Sequence, residues 1–176
     1  GAHLETSSAN ELFLVRRLWE QGKVGPKLRV LCNGPKTEKY LSLIDDLKKK
    51  GLGVVPLIED FDELEQLKRY QGEVGVRVDM SVKVKSRWDK KYNRFGIQEE
   101  ELLKMPKIKN LGILSYHISS QIESISGLTA PIERAVSVYA KLREKNPQLD
   151  TINIGGGGAV PYEKNRPLYT GRQAVN

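Results

Sequence analysis

With 176 residues, 39% of them hydrophobic and 29% charged, the chain has about one domain's worth of ordinary globular composition, long enough to bury a core. A net charge of +7 would suit an anionic ligand or a nucleic acid, but the lysines are spread along helix faces. The one dense basic run, residues 83–94 with Trp88, Tyr92 and Phe95 interleaved, reads as a solvated loop, so no nucleic-acid partner is expected. No uncharged apolar run approaches the ~18 residues of a membrane span. No secretory signal pattern opens the chain, and the single Cys32 excludes an internal disulfide, so the reading is a cytoplasmic protein with no membrane partner.

Leu4, Glu5 and Thr6 read as the end of a strand, and Ser8 with Glu11 fits a capping box, Ser8 capping and Glu11 reaching back. Leu12, Val15, Leu18 and Trp19 recur at helical spacing to about Gln21, where Gly22 ends the helix. Residues 28–32 read as a strand stopping at Asn33-Gly34-Pro35, and Tyr40, Leu43, Ile44 and Leu47 give the next helix its apolar stripe before Gly51. Residues 53–58 form a strand candidate in which Pro56 removes one ladder donor. Asp60 starts a helix with Phe61, Leu64 and Leu67 on one side, and residues 74–78 alternate as a strand. A short helix is expected over 97–105, with Glu99, Glu100 and Glu101 in its first turn, where they suit the helix dipole. Residues 111–117 make another strand. Ile132, Ala135, Val136, Tyr139 and Leu142 then form a helical stripe whose first turn holds Pro131. Asn146-Pro147 stops that helix, and the polar tail to Asn176 reads as loop with a helix beginning near Thr170.

The most informative stretch is the last strand, residues 149–154, which runs straight into Gly155, Gly156, Gly157 and Gly158. A glycine run costs backbone entropy and is retained where another group must approach the main chain. Bare N–H groups at a strand end can converge on phosphate oxygens. The loop is therefore a candidate phosphate cradle, the plain alternative being a flexible turn with no ligand. Six strand candidates alternating with helices imply parallel α/β architecture. Asn33, His117, Ser120 and Gly155 all follow strand C-termini, where β/α barrels and open doubly wound sheets both place ligands.

The glycines do not open a helix, as a dinucleotide fingerprint requires, and no Gly-Lys-Ser/Thr loop is present. His3 and His117, the only histidines, lack the ligand-spaced neighbours of a zinc site, so no protein-bound metal is expected from spacing. The order of several motifs is more specific. Tyr116-His117-Ile118-Ser119-Ser120-Gln121, one β/α unit before Asn153-Ile154-Gly155-Gly156-Gly157, resembles two signatures, His-x-Gly-Ser-Gln and Asp-hydrophobic-Gly-Gly-Gly. They belong to the pyridoxal-phosphate decarboxylases built on an alanine-racemase-like barrel, which include the enzymes for arginine, ornithine and diaminopimelate. The stretch from Leu4-Glu5 through Glu11 is similar to that family's Leu-Glu-x-x-Ser-x-x-Glu element. Cys32-Asn33-Gly34-x-Lys36 is similar to the Cys-Asn-Gly-x-Lys of biosynthetic arginine decarboxylases. Val76-Arg77-Val78 and Arg94-Phe95-Gly96-Ile97 look like the Gly-Val-Arg and Lys-Phe-Gly elements, and Tyr162-Glu163 looks more like arginine than ornithine decarboxylase.

The resemblance implies a partial (β/α)8 TIM-type barrel of parallel strands, with residues 1–176 as the central part of a pyridoxal-phosphate-binding domain. The first and last strands and a C-terminal β-domain would be missing. It implies pyridoxal 5'-phosphate as cofactor, magnesium as a further candidate, and decarboxylation of a basic amino acid in polyamine biosynthesis. Arginine is the first choice of substrate, ornithine or diaminopimelate the alternative. His117 would stack on the pyridine face. Ser120 and the glycine loop (Gly155, with the amides of Gly156 and Gly157) would hold the phosphate. Glu11 would sit near the cofactor rim and Glu5 near the site floor, with His117 and Glu11 assigned to catalysis. A homodimer or higher homo-oligomer of the full-length protein is implied too. Each residue also has a plainer reading: a core histidine, a capping box, a helix cap for Ser120 and a surface acid for Glu5.

Two positions depart from the pattern. Ser119 stands where glycine is usual, and Asn153 where an acid is usual. In the family, the lysine that carries the cofactor precedes the Leu4-Glu5 element, and the acid that pairs with the pyridine nitrogen follows the glycine loop. No lysine here stands in the matching place. Six strands plus one at each end would make eight, so the isolated polypeptide is expected to expose two open edges and to release no carbon dioxide from arginine. A non-catalytic relative that binds the cofactor or a partner decarboxylase is the second reading. An RNA-binding β/α protein using residues 83–94 is the third.

Overall fold

The alternation of apolar runs and amphipathic stripes resolves into seven strands and five α-helices among the residues described by the computed structural model, 3–25, 27–80, 82, 95–122 and 124–160. In chain order these are β1 (Leu4–Thr6), α1 (Ala9–Glu20), β2 (Arg29–Cys32), α2 (Glu38–Lys49), β3 (Gly53–Ile58) and α3 (Phe61–Gln66), which continues as a 3-10 turn (Leu67–Arg69). They are followed by β4 (Val74–Asp79), β5 (Ile97–Gln98), α4 (Glu99–Lys104), β6 (Leu111–Ser115), α5 (Ile125–Lys145) and β7 (Thr151–Asn153).

Every strand pair is parallel, and the sheet runs β1-β2-β3-β4-β6-β7, with the two-residue β5 beside β4 off this path. Each strand of the path is thus added at the same edge. An open doubly wound sheet reverses its order at a switch point, and this order contains no reversal. It is the winding of a β/α barrel, here a partial one. The curl shows in one contact: Glu5 and Asn153, on the two end strands of the path, meet at 3.3 Å.

Side chains on opposite strand faces enter different cores. Val30, Cys32, Val54, Ile58, Val76 and Leu114 face the helices and pack with Leu12, Tyr40, Ile44, Leu47 and Leu142. Leu31, Val55, Leu57 and Ile113 form a separate small cluster, the filling of the barrel interior. Gly75 of β4 makes that filling possible, because a Cβ there would lie 2.3 Å from Leu57 Cδ2 and 3.1 Å from Ile113 Cβ. Pro56 stays within β3, in register with Cys32.

Two expectations need correction. Helix α5 does not begin near Pro131; it begins at Ile125, capped by Ser124, whose Oγ accepts from Gly127 N–H at 3.1 Å. Pro131 therefore lies inside the helix, buried, where it withholds the donor that the Gly127 carbonyl would use. Helix α4 starts at Glu99, because Ile97 and Gln98 are taken by pairing with Val78 and Asp79. The basic run 83–94, Tyr162, Glu163 and the region near Thr170 lie outside the described residues. Among the described residues, no helix is long and apolar enough to cross a membrane.

Cys32 is fully buried between β2 and the helices, and that burial pushes its thiol up from an ordinary 9.0 to about 11. Alkylation of the native protein at pH 8 should therefore be slower than in denaturant by about 100-fold or more, through lost thiolate and lost access together. The folded state keeps this proton at a pH where the unfolded chain loses it. Its contribution to stability should thus be complete below pH 9 and fade as the pH rises towards 11, as urea melts across that range would measure.

Candidate functional site

Parallel winding brings the C-terminal ends of β1, β2, β4, β6 and β7 to one mouth. A cleft of about 390 Å³ opens there, lined by Glu5, Asn33, Arg77, Ser115, Tyr116, His117, Asn153, Gly155 and Gly156. That volume lies within the range of about 300–1,000 Å³ typical of small-molecule sites. Helix N-termini face the same end, and α1, α2, α3 and α5 are each capped by a side-chain oxygen, from Ser8, Thr37, Asp60 and Ser124.

Glu5 is placed by the alternation of β1. Its neighbour Thr6 points into the outer core, where the Tyr40 hydroxyl lies 2.8 Å from Thr6 Oγ1 and donates to the Thr6 carbonyl at 3.0 Å. Glu5 therefore takes the opposite face, towards the cleft. Its Oε1 accepts from Asn33 Nδ2 at 2.9 Å and its Oε2 from Asn153 Nδ2 at 3.3 Å. Asn33 Oδ1 in turn accepts from Gly34 N–H at 3.0 Å and from Arg77 Nη1 at 3.4 Å.

Arg77 brings the cleft a cation. The guanidinium is 12% exposed, with Nη1 3.3 Å from Glu59 Oε1, and it lies 4.9 Å over the Phe95 ring. Glu59 Oε1 also accepts from Gly34 N–H at 2.7 Å, while Glu59 Oε2 is buried with no partner among the described residues. Behind this pair sits Lys36, fully buried, whose Nζ donates to the carbonyls of Gly34, at 2.6 Å, and of Leu57, and to Glu63 Oε2 at 3.3 Å. Its three protons are thus spent. Burial outweighs the nearby carboxylates of Glu63 and Glu59 and holds the ammonium below the usual lysine range. Lys36 is thereby a structural clamp on the β2–α2 loop.

The glycine loop divides by cause. Gly155 has φ +65°, and a Cβ on it would lie 2.5 Å from the Tyr116 carbonyl oxygen. Gly157 has φ +120°, and its Cβ would lie 2.3 Å from the Ser119 carbonyl oxygen. The protein itself requires glycine at both. Among the described residues, nothing lies within 4 Å of where a Cβ on Gly156 would stand. Its N–H makes one long contact, 3.4 Å to His117 Nδ1. The loop after β6 runs alongside: Ile122 N–H donates to Gly157 O at 2.9 Å, and Ala159 N–H donates to Ile122 O at 3.2 Å. Ser120, half-buried, sits in that loop between Ser119 and Ile122.

The fold thus brings Glu5, His117, Gly155 and Gly156 into one cleft, with Ser120 and Gly157 on the adjoining loops. Glu11 stands apart. It occupies the first turn of α1, and Ser7 N–H donates to its Oε2 at 2.6 Å. The capping box is therefore present, although the carboxylate grips the residue before the cap rather than Ser8. Sequence reasoning gives Arg77 and Glu59 no role in the site. An arginine inside a strictly alternating apolar strand, and an acid one residue past a strand end, are the signals that could have found them. Among the described residues, no group of three His, Cys, Asp or Glu side chains converges as a metal site.

Residues 1–175 match the family described as pyridoxal-dependent decarboxylase, pyridoxal binding domain. A biosynthetic arginine decarboxylase of Prochlorococcus marinus strain AS9601 is 26% identical over 176 residues, covering 91% of this chain and 26% of that protein. The one from strain MIT 9303 is 27% identical, covering 93% and 27%. The chain therefore spans about a quarter of the length of these relatives. Among solved structures, a biosynthetic arginine decarboxylase from Campylobacter jejuni superposes with TM-score 0.70 at 24% identity, covering 93% of this chain and 28% of that one. A diaminopimelate decarboxylase from M. jannaschi superposes with TM-score 0.75 at 21% identity, covering 97% and 42%. A lysine/ornithine decarboxylase from Vibrio vulnificus superposes with TM-score 0.66 at 24% identity, covering 92% and 42%. These structural likenesses concern the fold.

Replacing Lys36 by Met should destabilise the full-length protein by about 3 kcal/mol, because Glu63 keeps only its backbone donors in a dry site. Urea unfolding would measure the loss, and proteolysis should then cut first in the freed β2–α2 loop.

Proposed function

This chain belongs to the pyridoxal-dependent decarboxylases, as their pyridoxal-binding domain, and on that premise we propose that the full-length protein decarboxylates a basic amino acid, arginine to agmatine first, with pyridoxal 5'-phosphate in the cleft. One observation carries the placement of the phosphate. Gly155 and Gly157 are glycine for the protein's sake, whereas at Gly156 no described residue occupies the space where a side chain would be. A glycine without a protein reason, at the rim of a cleft of this volume, fits a group that comes close to the backbone.

In this reading the amides of Gly156 and Gly157 and the Ser120 hydroxyl bind the phosphate, and the His117 ring lies against the pyridine face. Binding would redirect the Gly156 N–H from its long contact with His117. Glu5 is the acid at the site floor, held by Asn33 and Asn153, while Arg77, bonded to Asn33, supplies a fixed positive charge to the cleft. Glu11, through its grip on Ser7, stiffens the rim beside Glu5. The cofactor, when bound, supplies the electron sink into which the pair left by the departing carboxylate drains. The chain's residues bind, orient and shield it. Arginine is preferred over ornithine or diaminopimelate on the relatives' names and on the Cys32-Asn33-Gly34-x-Lys36 element. Polyamine biosynthesis, cytoplasmic location and homo-oligomeric assembly rest on the family reading alone.

The test uses the full-length protein. It should show a visible cofactor band that borohydride abolishes, and release carbon dioxide from arginine faster than from ornithine or diaminopimelate. A band without release from any of the three would favour a non-catalytic relative; no band at all would overturn the reading. Gly156→Ala should weaken cofactor binding by about tenfold or more, ~1.4 kcal/mol, with an unchanged melting temperature. Gly155→Ala and Gly157→Ala should each lower stability by about 1–3 kcal/mol through backbone strain, measured by thermal melting of the cofactor-free protein.

A further inference from the structure

Asn153 makes two bonds that require opposite polarity. Its Oδ1 accepts from Gly155 N–H at 3.0 Å, and its Nδ2 donates to Glu5 Oε2 at 3.3 Å. The first bond alone would be an ordinary Asx turn at a strand end, and an aspartate makes that turn as well as an asparagine. The second reaches a residue 148 positions away, on the other end strand of the sheet. Of these two, only the carboxamide can do both at once, because an ionised acid has no proton to donate.

From this we propose that Asn153 is a positioning residue that locks the Glu5 carboxylate to the first amide of the glycine loop, so that site floor and phosphate cradle are set as one unit. The proposal deepens the cofactor reading given above and rests on it for its ligand. The groups around Glu5 fit this division of labour. Asn33 reaches it from the end of β2 and Arg77 stands behind Asn33 at 3.4 Å; Glu59, just past β3, pairs with Arg77. Tyr116 and His117 line the same cleft after β6, and Glu11 in the first turn of α1 is turned to Ser7. Of the two described side chains that donate to Glu5, Asn33 follows the neighbouring strand, so the tie to the glycine loop falls to Asn153. An acid at position 153 would set two carboxylates in contact, and like charges at that spacing hold a proton between them.

The test is a pair swap in the full-length protein, read as the dissociation constant of pyridoxal phosphate by absorbance. Asn153→Asp keeps the turn but loses the tie. It should weaken binding by about tenfold at pH 8 and by less at pH 5.5, where the new pair takes up a proton. Asn153→Ala should weaken binding equally at both. In the double variant Glu5→Gln/Asn153→Asp, the new amide at position 5 can donate to the new acid at position 153, restoring the bond with the charge moved. Its loss should be smaller than the product of the two single losses by about fivefold or more. Multiplicative losses, or an Asn153→Asp protein that binds like wild type at both pH values, would overturn the proposal and leave only the turn. Should the wild type bind no cofactor, the functional reading falls. The same cycle is then read in melting temperatures of the cofactor-free protein, where coupling between Glu5 and Asn153 supports the tie and additivity refutes it.

Discussion

Parallel pairing with every strand added at one edge is the constraint on which the rest of the molecule depends. It sends all strand C-termini to the same side, so residues scattered from position 5 to position 156 can share one cleft. It also demands a crossover after each strand, and the helices that make those crossovers start at the mouth, where their caps order the loops. Curl follows from strand twist and from interior filling. Leu57 and Ile113 can approach over β4 only because position 75 is a glycine.

The mouth is held by charged groups that the interior would otherwise reject. Lys36 gives up its hydration to bind two carbonyls and Glu63, and Glu63 also accepts the N–H groups of Lys36 and Glu59. A cluster of this kind adds little net stability, since desolvation consumes most of the attraction. What it specifies is geometry. The β2–α2 loop, the end of β3 and the first turn of α3 can be joined in this way in one arrangement only. That arrangement puts Glu59 against Arg77, and Arg77 beside Asn33.

Legibility in the sequence followed the range of the interaction. Strand period, helix stripe and the Ser8 and Asp60 caps are local, and the structure has these elements and both caps, although Leu18, Phe61 and Val136 of the expected stripes are exposed and the strands expected over 111–117 and 149–154 are shorter. Pro131 misled because proline is commonest in a first turn, whereas here the upstream Ser124 offers the stronger start and packing tolerates the missing bond. Strand β5 was invisible as a strand, since two residues carry no period. Arg77 with Glu59, and Glu5 with Asn153, join residues 18 and 148 positions apart. No spacing rule reaches that far, so these partners came only with the tertiary structure, although Glu5 itself was recognisable through its motif.

The glycine run shows why composition alone could not decide between a turn and a binding loop. All four residues look alike in sequence. In the fold, Gly155 and Gly157 are compelled by backbone angle and by carbonyl oxygens 2.5 and 2.3 Å from an added Cβ, and a turn without any ligand would keep them. Gly156, between them, has no such compulsion. The proposed phosphate site therefore leans on Gly156 rather than on Gly155 and Gly157, and the narrowness is an advantage. The two flanking glycines serve as internal controls for what the chain needs merely to fold.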